Sequence, residues 1–62
     1  MNMIGFAEQK GTATYVYNLN GGYKWHREGT LLGLTSTTVI IKHGSTIYIC
    51  DEDGHIMSTR SA

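Results

Sequence analysis

Polar and apolar side chains alternate with a period of two through much of this chain, and no window sustains apolar residues at helical spacing. The runs Thr14 to Tyr17, Thr37 to Ile41 and Thr46 to Ile49 are dense in β-branched and aromatic residues, which suit a pleated, half-buried surface. Asn20-Gly21, Glu28-Gly29, His43-Gly44 and Asp53-Gly54 punctuate these runs with turn chemistry. The pattern predicts an all-β chain, a small antiparallel sheet or barrel of about five or six short strands. Strands are expected at about Thr12 to Asn18, Gly22 to Arg27, Thr37 to Lys42, Ser45 to Asp51 and His55 to Thr59. Met3 to Ala7 is a candidate first strand or arm, followed by a polar link, Glu8 to Gly11. Thr30 to Leu34 is a short apolar segment.

The same phrase occurs twice. Gly11 to Gly21 reappears 33 positions later as Gly44 to Gly54, with Gly11/Gly44, Tyr15/Tyr48 and Gly21/Gly54 identical. Thr12/Ser45, Val16/Ile49, Asn18/Asp51 and Asn20/Asp53 are conservative replacements. The pseudo-repeats are placed at about residues 11–29 and 44–60 of a single small β domain, 1–62, with internal two-fold pseudo-symmetry.

Taking each turn dipeptide as the centre of a two-residue loop fixes a register. Val16 then faces Trp25, Asn18 faces Tyr23 and Tyr17 faces Lys24. Ile40 faces Ile47 and Val39 faces Tyr48, while Cys50 faces Met57 and Asp51 faces Ile56. One face collects Val16, Tyr23, Trp25, Ile40, Ile47, Ile49 and Ile56; the other collects Tyr15, Tyr17, Val39, Ile41, Tyr48, Cys50 and Met57. Both faces are apolar, whereas an open antiparallel sheet usually keeps one polar. The expectation is a curled barrel or, preferably, a homo-oligomer in which another copy covers the second face.

Size points the same way. A 62-residue chain builds a core worth only a few kcal/mol and usually needs a staple. Cys50 is the only cysteine, so an internal disulfide is excluded. A free thiol, a start without a basic apolar leader and no long apolar stretch point to a cytoplasmic protein without a membrane span. Five basic and five acidic residues cancel, which removes the footprint of a duplex-DNA binder.

Chemistry is thinly represented. His26, His43 and His55 lack a neighbouring ligand at metal-binding spacing, so neither a metal nor any other cofactor is expected. Asp51-Glu52-Asp53-Gly54 lacks the later ligands and flanking helices of a calcium loop and reads as a turn. Cys50 sits mid-strand on an apolar face, the setting of a packing thiol rather than a nucleophile. With no paired carboxylates, no Ser/His/Asp set and no phosphate-cradling loop, an enzyme is not expected.

Binding surfaces are better represented. Tyr23-Lys24-Trp25-His26-Arg27 interleaves rings with cations, and Tyr15, Tyr17 and Tyr48 add ring area. Single-strand binders combine stacking platforms with basic grooves in this way. A small-molecule or nucleotide pocket between subunits would draw on Tyr17, Trp25, Arg27, Lys42 and Tyr48. The leading expectation is a non-enzymatic interaction module with an aromatic β-face, homo-oligomeric and open to a protein partner. A single-stranded nucleic-acid or nucleotide binder through Tyr23 to Arg27 ranks second.

Tyr15 to Gly21 and Thr46 to Ile56 resemble the units of small bacterial and phage proteins built from Tyr-x-Tyr-(Asp/Asn)-x-x-Gly hairpins, the uncharacterised β-flower type of domain. Leu31 to Leu34 looks like the Leu-(Val)-Gly-Tyr segment of those units. The longer connection from Trp25 to Thr35, and Cys50 in place of an aromatic, depart from that pattern. The resemblance implies pseudo-symmetric hairpins and brings no active-site residues.

Overall fold

The computed structural model describes residues 3–62 and contains seven strands, with no helix among them. They are β1 (Ile4–Lys10), β2 (Ala13–Asn18), β3 (Tyr23–Glu28), β4 (Thr30–Leu34), β5 (Thr38–His43), β6 (Thr46–Asp51) and β7 (Ile56–Ser61). All pairings are antiparallel, in two sheets of order β1-β2-β3 and β4-β5-β6-β7. The count exceeds the five or six expected because both the Met3 to Ala7 arm and the Thr30 to Leu34 segment join as full strands.

The repeat runs further upstream than the sequence phrase suggested. Adding 33 to any position from 5 to 28 carries β1, β2 and β3 onto β5, β6 and β7, so the duplicated unit is a three-stranded meander. Between each unit's first two strands, Gly11 and Gly44 have φ of 61° and 64°, and each opens a two-residue loop. Glycine at the first loop position is the chemistry of a II′ hairpin turn. The Glu8 to Gly11 link is therefore part of a hairpin. The second loop centres on Gly44-Ser45 rather than His43-Gly44, so Ile40 meets Ile49 and Val39 meets Cys50. A slide of two residues changes partners and leaves the faces unchanged.

The second turn of each unit is a three-residue loop with a left-handed glycine, Gly21 at φ 86° and Gly54 at φ 90°. Asn18 Oδ1 accepts from the Asn20 and Gly22 amides at 2.9 and 2.8 Å. Asp51 Oδ1 accepts from the Asp53 and His55 amides at 2.9 Å each. These bonds, together with those of the His55 ring 3.4 Å away, hold the Asp51 carboxyl below the ordinary carboxylate range. The longer loop inserts a bulge at equivalent places, with Lys24 and Met57 as the extra residues. Tyr17 consequently pairs with Tyr23 rather than Lys24, and Cys50 with Ile56 rather than Met57.

Two corrections to the faces follow. Past its bulge, Tyr23 leaves Trp25 and joins Tyr15 and Tyr17. More consequentially, the units bury opposite faces. The first turns inward the rows Ala7-Val16-Trp25 and Gln9-Thr14-Arg27; the second turns inward Val39-Cys50-Ile56 and Ile41-Tyr48-Thr59. A two-fold relation would bury the same face of each unit. Here the front of one lies on the back of the other, and Ile40, Ile47 and Ile49 stay outside.

The core between the sheets comprises Ile4, Val16, Val39 and Ile41, with Ala7, Trp25 and Leu31 against it. Gly29 alone separates β3 from β4 and crosses between sheets at φ 136°. Its amide donates to Thr12 O at 2.7 Å, and its carbonyl accepts from the buried Thr14 hydroxyl at 3.0 Å and from Gln9 Nε2 at 3.3 Å. Gln9 Oε1 accepts from the Leu31 amide at 2.7 Å, so one side chain ties β1 to the crossing and to β4.

A Cβ on Gly29 would run into Ile41 Cγ2 and lie 2.8 Å from Lys42 O. Gly29→Ala is expected to cost about 3 kcal/mol or more through backbone strain and overpacking, enough to leave a domain of this size largely unfolded. A Cβ on Gly11 meets nothing within 4 Å, so Gly11→Ala bears only the left-handed penalty of about 1–2 kcal/mol. Urea midpoints of the two variants check the contrast.

Candidate functional site

Strand alternation divides the Tyr23 to Arg27 segment. Trp25 and Arg27 point between the sheets and dock on the β6–β7 turn: Trp25 Nε1 donates to Glu52 O and Arg27 Nη2 to Gly54 O, each at 3.0 Å. Gly54 is seated so that a Cβ there would lie 3.0 Å from the indole ring. Lys24, its side chain only 10% exposed, reaches Asp53 at 3.9 Å. These three residues therefore clamp the first sheet to the turn of the second.

Tyr23 and His26 face outward. Tyr23 Oη lies 2.6 Å from His26 Nδ1, and the His26 ring stacks on Tyr15 with centroids 5.0 Å apart. Phe6, brought opposite Tyr17 by the β1–β2 hairpin, stacks on it at 4.6 Å and 12°. Tyr23 closes the group against Tyr15 and Tyr17 at 6.3 and 6.5 Å. Each such pair contributes roughly 0.5–1.5 kcal/mol beyond its area. The Lys10 ammonium stands 5.1 Å from the Tyr15 ring centre and 5.9 Å from that of Tyr17. The Tyr17 hydroxyl, with Glu8 3.8 Å away, holds the Lys10 ammonium above its ordinary pKa. The outer face of β1-β2-β3 is thus a continuous aromatic platform with one cation over it and Phe6 and Tyr23 about half exposed.

Of the residues singled out by sequence, Tyr15, Tyr17 and Tyr23 belong to this platform. Lys24, Trp25 and Arg27 belong to the inter-sheet clamp. Tyr48 lies on the inward face of β6, opposite Ile41, and Lys42 lies on the outer face of the second sheet beside Ile47. Tyr17, Trp25, Arg27, Lys42 and Tyr48 are therefore not gathered at one place. Sequence reasoning missed Phe6 and Lys10, and took in His26 only as part of the Tyr23 to Arg27 segment. The signal for the first two was present: Gly11-Thr12 matches Gly44-Ser45, and reading it as a hairpin would have set Phe6 opposite Tyr17.

Cys50 is fully buried at the inner seam. Burial pushes its thiol above the ordinary value, against the Arg27 guanidinium, which favours the thiolate. No group of three or more His, Cys, Asp or Glu side chains able to hold a metal exists among the described residues. No helix among them is long and apolar enough to cross a membrane.

No family model matches this chain, and no curated protein or solved structure does.

Native Cys50 is expected to react with a thiol reagent at least tenfold more slowly than the same thiol in denaturant. Labelling at neutral pH monitored by mass spectrometry checks this, and equal rates would contradict the packing assignment.

Proposed function

We propose that the protein is a non-enzymatic interaction module that works through the outer aromatic face of its first sheet, associating with copies of itself and open to another protein partner. The observation that carries this reading is the platform of Phe6, Tyr15, Tyr17, Tyr23 and His26. Its rings are already ordered against one another, so little side-chain freedom remains to be lost on docking. Large rings massed on an exposed sheet face are a common mark of a contact surface. The inward-facing thiol and the scattered histidines give no support to catalysis. A cytoplasmic setting, of bacterial or phage type, fits the reduced cysteine and belongs to the same proposal.

Light scattering over a concentration series is expected to give a mass rising above the single-chain 6.9 kDa. A constant single-chain mass at the highest attainable concentration would defeat self-association.

One observation favours a second reading. Lys10 over Tyr15 and Tyr17 joins a cation to a stacking platform, the combination used to hold single-stranded nucleic acid or a nucleotide. Trp25 and Arg27 of the segment are turned inward, so the strand would lie across Tyr23, Tyr15 and Tyr17. Anisotropy of a labelled oligonucleotide is expected to rise at low salt and fall back at high salt, with the rise lost in Tyr15→Ala. No change at low salt excludes this reading.

A further inference from the structure

The inter-sheet contact within the chain is made by two different faces of one repeated unit, and each face is left open once. Subtracting 33 from the inward-facing row Val39-Cys50-Ile56, buried at Val39 and Cys50 and open at Ile56, gives Phe6-Tyr17-Tyr23, a row of the exposed platform. Adding 33 to the inward-facing row Ala7-Val16-Trp25 gives Ile40-Ile49-Ser58, a row of the second sheet's outer face. Front-on-back contacts of this kind are heterologous and do not use themselves up. The first unit keeps an open back; the second keeps an open front. We infer that a second copy of this chain docks with the aliphatic outer face of its β5-β6-β7 on the aromatic platform of the first, repeating between chains the stacking already present within one.

Two independent features support that partner. The clamp bond from Arg27 to Gly54 O has its counterpart in Arg60, on β7, and Gly21, in the β2–β3 turn, both exposed. Docking would bring Arg60 of one copy to the Gly21 carbonyl of the next. Charge is complementary in net sign as well: the aliphatic face carries Lys42 and Arg60 in one row with Ile47, while the platform side carries Glu8 and Glu28 against Lys10 alone, each of these charges exposed. A stable interface takes roughly 800 Å² from each partner, about a fifth of this chain's 3795 Å² surface. Ser58 stands where the first unit has Trp25, so the junction between chains lacks the indole anchor and is weaker and more concentration-dependent than the one inside.

This inference rests on the self-association reading, and complementation separates the two. Phe6→Lys blocks the platform and Ile47→Lys blocks the aliphatic face. By sedimentation velocity and native mass spectrometry, each variant alone is expected to be a monomer. Their equimolar mixture is expected to form a one-to-one heterodimer that grows no further, because one good junction is restored. If Ile47→Lys still dimerises while Phe6→Lys does not, the platform pairs with itself and the front-to-back inference falls while self-association survives. If both variants still associate, a different surface is used and the inference also falls. A wild-type protein that stays monomeric defeats self-association itself. Far-UV circular dichroism establishes that the variants fold; should either fail, Tyr23→Lys and Ile49→Lys address the same faces with the same outcomes.

Discussion

Everything in this fold depends on how the first meander lies on the second. Neither three-stranded unit could persist alone in water, because each has an apolar sheet face to bury and nothing of its own to cover it. Val16 against Val39 and Ile41 supplies the apolar contact, and Trp25 with Arg27 fixes the offset by bonding to the second unit's turn. The crossing at Gly29 is a single residue long. Its buried carbonyl is satisfied by Thr14 and Gln9, which removes the desolvation penalty that such a tight passage would otherwise carry.

That contact also decides which rings are available to a partner. Trp25, the largest side chain, is committed to internal work, while the smaller aromatics gather outside where Tyr15, Tyr17 and Tyr23 meet Phe6 and His26. The binding surface is a by-product of the alternation that makes the core. One face of β2 must point inward with Thr14 and Val16, so the other must present its tyrosines to solvent.

The strands were legible because the β-branched and aromatic runs are bounded by glycine turns, and all five principal strands lie where alternation put them. The pairing of Val16 with Trp25 was also readable. Registers near the turns were not, because Asn-Leu-Asn-Gly and Asp-Glu-Asp-Gly close three-residue loops whose extra residue is absorbed as a bulge at Lys24 or Met57. The choice of inward face was hidden for a different reason. Val16 and Ile49 occupy equivalent positions with equivalent chemistry, and only the handing-over at Gly29 sends one inward and the other outward. Local pattern carries no information about that. The platform was half legible: its tyrosines stood out, whereas Phe6 and Lys10 depended on recognising Gly11 as a hairpin glycine.

Asn18 and Asp51 do the same job with different chemistry, and this gives the duplicated halves unequal responses to acid. An amide has no proton to take up at any ordinary pH, so the first loop keeps its bonds throughout. Asp51 titrates below the usual carboxylate value, so what its ionised form adds to stability is complete above that value and drains away as the medium is acidified through the lowered one. Acid therefore weakens the bonds of the second loop and not those of the first, at the very corner on which the tryptophan and arginine of the other half are seated.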